Sequence, residues 1–282
     1  MRIALVANRA SGGGLDPAPL AAAMDGAEIF GCDEEDLAKV REWGPERIAV
    51  AGGDGTIGPV AELAGSLDVP LAVIPTGTAN DFARAHGLPT DAMDAARLAL
   101  TGTSLLALEL GRLADGRPFV NVASAGLSSV AARRAQPLKS RFGPLAYGLG
   151  AARAALTGRP LNVRVTVDDA VVFDDGAWQV MVACTGAFGG GSGLGVADAT
   201  DGELDVVIIP AGSRIGLVKR AWGLRTKRLE RQRKVSHHEG KVVSVTLPAS
   251  TEINVDGEFR DSGMESVTAR AAAFELVVPT SR

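Results

Sequence analysis

The stretch IAVAGGDGT, residues 48–56, decides the fold, because a short apolar run ends there in a glycine-rich turn. The stretches IALVANRASGGG at 3–14 and LAVIPTGTAND at 71–81 repeat this pattern, and helix-like sequence follows each turn. Short apolar runs that alternate with helical patterns are typical of parallel sheets covered by helices. This pattern therefore predicts that residues 1–102 form an α/β domain.

Residues 103–272 show a different sequence pattern. Apolar and polar residues alternate strictly in segments such as LNVRVTV at 161–167. This alternation predicts antiparallel strands with one face in water. Similar strand signals occur at 179–184, 204–209, 241–247, 251–255 and 273–278. We therefore predict a second, mainly antiparallel β domain, and a final strand at about 273–282 that could return to the first domain.

The composition of the 282 residues narrows the classes of protein. A net charge of −4 argues against a nucleic-acid partner. The two cysteines, Cys32 and Cys184, have no CxxC spacing, so neither a disulfide framework nor a thiolate zinc site is indicated. No apolar run approaches the roughly 20 residues of a transmembrane helix. We expect a cytoplasmic protein whose membrane contact is peripheral.

The glycines of GGDGT favour a phosphate-binding loop. Gly52, Gly53 and Gly55 allow the backbone to approach a polyanion closely, and the first N–H groups of the following helix attract phosphate. Asp54 would repel phosphate unless a cation lay between them, so it predicts Mg²⁺ bound together with a nucleotide. The alternative is an Asp-Gly turn that caps a helix beginning near Ile57.

The loop PTGTAND repeats this geometry after the next predicted strand, with a turn glycine, hydroxyl groups and Asp81 in the first helical turn. Taken alone, Asp81 needs no role beyond a favourable interaction with the helix dipole. In the first loop, Asn8 and Ser11 offer hydrogen bonds, whereas the glycines at 12–14 either contact a ligand or form only a flexible turn. Because ligands of open parallel sheets bind at the carboxyl ends of the strands, we expect the three loops to converge on one nucleotide.

Several well-known site motifs are absent from the sequence. It contains no G-x-x-x-x-G-K-[ST], no G-x-G-x-x-G and no H-E-x-x-H. These absences remove the best signals for a P-loop protein, a dinucleotide-binding fold and a zinc peptidase.

The motifs NRASGG, GGDGT and PTGTANDFAR, in this order within the first 84 residues, closely resemble the catalytic region of diacylglycerol kinases and their bacterial lipid kinase relatives. The likeness continues through FVNVASAGL at 119–127, DGELDV at 201–206 and INVDGE at 253–258, so it covers nearly the whole chain. It implies an α/β nucleotide-binding domain like that of NAD kinases and diacylglycerol kinases, and a mainly antiparallel β-sandwich domain with the lipid site.

The resemblance also implies roles for individual residues. Asp54 and Asp81 would serve Mg-ATP, with Asp54 also catalytic, and Glu258 would be the general base. Asp201 would belong to a structural Mg²⁺ site, and Glu109 is also assigned to metal binding. The residues assigned to ATP binding are Asn8, Ser11, Gly12, Gly52, Gly53, Asp54, Gly55, Thr56, Thr76, Gly77, Thr78, Asn80 and Asp81.

The sequence departs from the family pattern at a few positions. Glu109 and Ser128 stand where the family often has aspartate, so we expect an altered or weaker metal network. The first loop reads NRAS where NPxS is more usual, although Asn8 and Ser11 remain.

The segment Asp256-Gly257-Glu258 has two interpretations at this stage. As a general base, Glu258 would orient or deprotonate the hydroxyl that attacks the γ-phosphate. The alternative is a hairpin turn between strands at 251–255 and from 259 onward.

A basic stretch at 214–234 stands out in this acidic chain, with apolar residues interleaved at helical spacing. It predicts an amphipathic helix that lies on an anionic membrane surface. The residues assigned to this contact are Arg220, Trp222, Arg225, Lys227 and Arg228. The alternative is a helix that packs on the β domain and exposes a solvated basic face.

An ATP- and Mg²⁺-dependent lipid kinase, attached peripherally to the inner face of the membrane, is the first hypothesis. A kinase of a soluble substrate, such as an NAD kinase, and a catalytically weak lipid- or nucleotide-binding regulator are the alternatives. No short motif identifies the lipid, because many apolar surfaces accommodate acyl chains. A homodimer is possible through edge strands. We assign no role to His86, His237 or His238.

Overall fold

The computed structural model describes residues 1–127, 129, 158–213 and 235–280. The chain divides into two compact units. The first comprises Met1–Leu110 and Ala271–Arg282, and the second comprises Gly111–Arg270.

The first unit is built on a parallel sheet. Its strands are β1 (Ile3–Ala7), β2 (Glu28–Phe30), β3 (Arg47–Gly52), β4 (Leu71–Pro75), part of β5 (Ser104–Arg112) and part of β17 (Val267–Val278). The order is β17-β4-β3-β1-β2, with β5 beside β17. Every residue of β1, β3 and β4 is buried. The predicted parallel sheet is confirmed, since the apolar runs form its three central neighbours.

Helices cover this sheet. They are a short 3-10 helix (Ser11–Gly13), α1 (Ala18–Ala23), α2 (Glu34–Trp43), α3 (Asp54–Leu67), α4 (Asp81–Ala85) and α5 (Ala92–Thr101). Apolar residues of α1 and α5 share one core with alternate residues of β1, β3 and β4. The helix α3 packs against β3 and β4. It begins at Asp54 rather than near Ile57, so Asp54 lies inside its first turn and does not precede it.

The second unit is a β structure whose described strand pairs are antiparallel. Its strands are β6 (Pro118–Phe119), β7 (Val122–Gly126), β8 (Leu161–Val167), β9 (Ala170–Ala183), β10 (Ala187–Phe188), β11 (Ser192–Gly193), β12 (Leu204–Pro210), β13 (Ser236–Gly240), β14 (Val242–Thr246), β15 (Ile253–Val255) and β16 (Glu258–Arg260). The prediction of antiparallel strands is confirmed: LNVRVTV is β8, which buries its three valines and turns Asn162 and Arg164 to solvent.

The long strand β9 organises this second unit. Its first half pairs with β8, and its second half lies between β7 and β12. Trp178, Met181 and Ala183 of this second half form a core with Val122 and Val207 of the neighbouring strands.

Gly65 provides a test of the packing of α3. A β-carbon at this position would overlap the carbonyl oxygen of Ala273 in β17. Replacing glycine by alanine inside a helix usually stabilises it by about 1 kcal/mol. Here we expect the opposite, a loss of about 1–3 kcal/mol in the free energy of unfolding, because backbone atoms must move apart.

Urea denaturation of Gly65→Ala measures this loss. Glu42→Ala, at an exposed position of α2, is the control and should change stability by about 0.5 kcal/mol or less. A Gly65→Ala protein as stable as the wild type, or more stable, would contradict the packing.

His86 follows α4, and its buried side chain is expected to make the free energy of unfolding depend on pH in the acidic range. Its ring lies 4.6 Å from that of Phe82, and its Nε2 is buried without a hydrogen-bond partner among the described residues. Burial lowers the pKa of His86 from 6.5 to about 4. Between these two pH values the unfolded chain binds a proton that the folded chain does not, so stability falls as the pH decreases.

We expect His86→Gln to flatten the dependence of unfolding free energy on pH between about 6.5 and 4, by up to about 3 kcal/mol over this window. Thermal or urea unfolding at a series of pH values measures the slope. His238→Gln is the comparison: burial, and then the neighbouring His237, also lower the pKa of His238, so this variant should flatten the slope too, but by less. An identical slope in His86→Gln and the wild type would remove this role of His86.

Candidate active site

Three loops meet at the carboxyl ends of β1, β3 and β4 in the first unit. We call them the first loop (8–14), the second loop (52–56) and the third loop (76–81). Because the three strands are parallel neighbours, their ends lie at the same edge of the sheet. The three loops therefore lie side by side, and hydrogen bonds and close backbone contacts connect them.

Asn8 connects the first loop to the second. Its backbone N–H donates to the Ala51 carbonyl at 2.9 Å, and its Nδ2 donates to Thr56 Oγ1 at 3.1 Å. Its Oδ1 accepts from the Ala10 N–H at 3.1 Å, which holds the turn that follows. Asn8 thus fixes the start of the first loop and the first turn of α3 with one side chain.

Ser11 and Gly12 connect the first loop to the third. Thr76 Oγ1 donates to Ser11 Oγ at 3.2 Å. Gly12 has φ = 63°, and a β-carbon there would lie 2.5 Å from the Thr76 carbonyl oxygen. This close backbone packing fixes the position of Gly12, and the assignment of Gly12 to ATP binding stays a prediction.

The second and third loops touch through their backbones. The Thr76 N–H donates to the Gly52 carbonyl at 3.0 Å, and a β-carbon on Gly77 would lie 2.6 Å from the α-carbon of Gly53. Asn80, in the left-handed conformation, accepts the Gly77 N–H at 2.9 Å through its Oδ1. The approach of the two loops therefore requires glycine at position 77.

Asp54 joins the starts of two helices. It is the first residue of α3, and its Oδ1 accepts the backbone N–H of Phe82, in the first turn of α4, at 2.9 Å. Asp81, the first residue of α4, is 4% exposed. The capping role considered for Asp54 thus exists, but the helix that it caps is α4.

The residues present fit a Mg²⁺ ion bound with phosphate. Mg²⁺ prefers oxygen ligands, and Asp54 and Asp81 bring carboxylates to the edge where helix N-termini attract anions. Glycines at 12, 53 and 77 keep this edge clear of side chains. Thr56, Thr76 and Asn8 add further oxygen atoms at the same edge.

A cavity of about 670 Å³ lies beside the first loop, at the ends of β1 and β2. Its lining includes Asn8, Arg9, Phe30, Cys32 and Asp33. Burial, and then the charge of Asp33, raise the pKa of the Cys32 thiol, which favours its neutral form. The loop after β2 has no glycine-rich motif that would predict a role in the site, but β2 is a parallel neighbour of β1 and ends at the same edge.

Glu258 lies in the second unit, in a hairpin formed by β15 and β16. Val255 and Glu258 are paired, and the two residues between them have positive φ, 48° at Asp256 and 91° at Gly257. These are features of a type I′ turn. The hairpin interpretation is therefore correct as structure, and it leaves the side chain of Glu258 47% exposed.

Two arginines hold the Glu258 carboxylate. Arg117 Nη2 and Arg260 Nη2 each lie 3.2 Å from its Oε2. Arg117 comes from the turn before β6, and Arg260 from the same hairpin. Sequence reasoning missed both arginines, and only the i, i+2 spacing of Glu258 and Arg260 could have indicated one of them.

Asp256 anchors the hairpin. Its Oδ2 accepts the Val120 N–H at 2.9 Å, and its Oδ1 accepts the N–H groups of Asn121 and Val122, each at 3.0 Å. Hydrogen bonds to a carboxylate are stronger than those between neutral groups. The aspartate of the DGE segment thus fixes the position from which Glu258 projects.

The remaining metal assignments fall in separate units. Glu109 lies on β5 in the first unit and is 2% exposed. Asp201 lies in an exposed turn before β12 in the second unit, where its Oδ1 accepts the Glu203 N–H at 2.9 Å. Their roles in metal binding stay predictions.

The predicted membrane contact lies outside the described residues, as do Ser128 and the whole stretch 214–234. Within the part of the chain that the structure describes, no helix has the length and apolar character needed to cross a membrane.

Two models of known protein families match this chain, one in each half. The family model described as diacylglycerol kinase catalytic domain matches residues 2–112, and the model described as YegS C-terminal NAD kinase beta sandwich-like domain matches residues 121–278. The predicted fold class is confirmed by these two matches together.

Individual relatives support the same assignment. A diacylglycerol kinase of Staphylococcus saprophyticus is 31% identical over 82% of this chain and 76% of its own length. A probable lipid kinase YegS-like of Pseudomonas fluorescens is 31% identical over 84% of this chain and 78% of its own length. The crystal structure of a putative diacylglycerol kinase from Bacillus anthracis has a TM-score of 0.78 at 24% identity, covering 99% of this chain and 97% of that chain, and shows the same fold. The chain therefore belongs to the diacylglycerol kinase family of lipid kinases.

Proposed function

We propose that the chain transfers the γ-phosphate of ATP, with Mg²⁺, to a hydroxyl group of diacylglycerol or a similar lipid. The observation that carries this proposal is the interlocked set of three loops, in which Asp54 and Asp81 begin adjacent helices joined by the Asp54–Phe82 hydrogen bond. Curated relatives named diacylglycerol kinase and lipid kinase support the lipid acceptor.

In this proposal the nucleotide binds to the first unit. Its phosphates lie on the N–H groups of the second and third loops and at the start of α3, where glycines leave room for them. The nucleoside occupies the cavity beside Phe30 and Cys32. We assign the ATP-binding domain to residues 1–102 with the strand at about 273–282, and the lipid-substrate domain to residues 103–272.

Asp54 and Asp81 would hold Mg²⁺, which supplies charge neutralisation for the β- and γ-phosphates when bound. Asp54 uses Oδ1 for the Phe82 N–H, so the orientation of its carboxylate is fixed before any ligand arrives. Such preorganisation lowers the entropy that must be lost on binding.

Glu258 would act as the general base. The lipid hydroxyl oxygen attacks the γ-phosphorus, the bond to the bridging oxygen of ADP breaks, and the hydroxyl proton passes to the Glu258 carboxylate. Arg117 and Arg260 both bind Oε2, which orients the carboxylate and directs Oε1 to the proton. Asp256 holds the hairpin in position, because its carboxylate accepts hydrogen bonds from the backbone N–H groups of residues 120–122.

We further propose a cytoplasmic protein that associates peripherally with the inner face of the membrane, because the acceptor is a lipid. The basic stretch 214–234 is the assigned contact, on charge and spacing alone. Homodimer formation stays a prediction.

Glu258→Gln tests the general base. We expect turnover to fall by roughly 100- to 10,000-fold, the usual contribution of a general base, with ATP affinity retained. The assay measures phosphate transfer from ATP to a panel of lipids in mixed micelles, with NAD as a soluble acceptor. Transfer to one lipid that is lost in Glu258→Gln is the expected outcome.

Asp261→Asn is the matched control, since Asp261 is an exposed acid just after the same hairpin. It should retain wild-type turnover. Phosphorylation of NAD without any lipid product would refute the lipid acceptor, and near-wild-type turnover of a folded Glu258→Gln protein would refute the base.

Asp54→Asn tests the metal site separately from the structural role of Asp54. Asparagine keeps an oxygen for the Phe82 N–H but removes the charge, so we expect unchanged folding and a weaker response to Mg²⁺. The concentration of Mg²⁺ giving half-maximal turnover should rise at least about tenfold, equivalent to about 1.4 kcal/mol.

Asp91→Asn is the control for this substitution, because Asp91 also accepts N–H groups at a helix start, those of Met93 and Asp94 in α5. It should leave the Mg²⁺ dependence of turnover unchanged. The same Mg²⁺ dependence in Asp54→Asn as in the wild type would remove Asp54 from the metal site.

A further inference from the structure

A second cluster of potential metal ligands lies on the strand pair β12–β13 of the second unit. It consists of Asp205 on β12 and His237 and Glu239 on β13. His237 Nε2 lies 2.6 Å from Asp205 Oδ1 and 3.6 Å from Glu239 Oε1, and the ligand atoms of the three residues lie within 4.8 Å of one another.

Strand geometry holds these three side chains on one face. Asp205 is directly opposite Glu239 in the antiparallel register, and His237 is two residues before Glu239 on the same strand. Residues at i and i+2 of a strand, and residues directly opposite across a pair, project to the same side. The cluster is therefore supported by two hydrogen-bonded strands.

The burial of Asp205 makes its charge the dominant feature. Asp205 is 2% exposed and is followed by an apolar run, and a buried carboxylate is unfavourable unless it is compensated. Its Oδ2 accepts the Asp198 N–H at 3.3 Å, while Oδ1 faces His237. One side of the carboxylate is thus anchored, and the other is directed into the cluster.

A hydrogen bond from His237 accounts for only one of the two carboxylates. The Nε2 atom carries at most one proton, which at 2.6 Å is shared with Asp205 Oδ1, while Glu239 Oε1 lies 3.6 Å from the same nitrogen. A divalent cation in place of that proton would bind the imidazole and both carboxylates together. The two positive charges of the cation would then balance the two carboxylates.

We propose that Asp205, His237 and Glu239 form a binding site for one divalent transition-metal cation, of the Zn²⁺ or Mn²⁺ class. One imidazole nitrogen and two carboxylate oxygens suit these ions, whereas Mg²⁺ prefers oxygen ligands alone. Metal–ligand distances of about 2.0–2.2 Å place neighbouring ligand atoms about 3 Å apart, so His237 Nε2 and Asp205 Oδ1, now 2.6 Å apart, would separate slightly to admit the ion. The side chain of Glu239 is 51% exposed, which leaves coordination positions open to water.

Metal binding by the full-length protein tests this site without reference to kinase activity. The protein is stripped with a chelator, dialysed, and titrated with Zn²⁺ or Mn²⁺ while Mg²⁺ is present in excess. We expect about one cation per chain, a rise of several degrees in Tm, and a Co²⁺ absorption spectrum of nitrogen and oxygen ligation. A thiolate charge-transfer band would place the ion at a cysteine and overturn the proposal.

Three variants locate the ion. His237→Ala should abolish binding, and Glu239→Gln should weaken it by roughly tenfold or more. His238→Ala is the matched control, since His238 is the next residue on β13 and projects to the opposite face. It should bind as the wild type does.

If His237→Ala fails to fold, Glu239→Gln still tests the site. Glu239 is half exposed, and this substitution removes only its charge. Weakened binding in Glu239→Gln supports the site. No binding by the wild type, or equal binding by the wild type and Glu239→Gln, overturns it.

Discussion

Backbone contact between neighbouring loops is the constraint on which the first unit depends. Gly53 and Gly77 pass so closely that a β-carbon on Gly77 would lie 2.6 Å from the α-carbon of Gly53. This approach places the start of α4 within hydrogen-bond distance of Asp54, whose Oδ1 is 2.9 Å from the Phe82 nitrogen. The two helix N-termini thereby share one edge of the sheet. An anion placed there would meet the favourable ends of both helices.

Much of the fold could be predicted from local sequence, because strand burial and loop flexibility leave a short-range pattern. The apolar runs that end in glycine are β1, β3 and β4, and the alternating segment at 161–167 is β8. The position of the three loops at one edge of the sheet followed from a general property of parallel sheets, whereas the strand order is seen only in the structure. The helix α3 begins three residues before the predicted start near Ile57, because Asp54 and Gly55 have low helix propensity and give no helical signal in the sequence.

Contacts between residues distant in sequence could not be predicted, because the pattern of apolar and polar residues does not show which side chains contact each other. Asp54 and Phe82 are 28 residues apart, and Asp256 and Val120 are 136 apart. His237 has no obvious set of metal ligands at a useful spacing in the sequence, yet strand pairing brings Asp205 to it. The two interpretations of Asp256-Gly257-Glu258, a hairpin turn and a general base, are compatible. In the structure the hairpin is what presents Glu258, and the anchored aspartate is what orients the hairpin.

The strand β17 gives this protein an order of assembly. Its residues after 270 belong to the first unit, where Leu276 pairs with Leu71 of β4 and Val277 enters the core. All residues of the second unit precede them in the chain. A ribosome therefore releases the whole second unit before the last strand of the first sheet is available. During synthesis β4 has an open edge toward the missing strand, and the first unit reaches its final form only after the second has emerged.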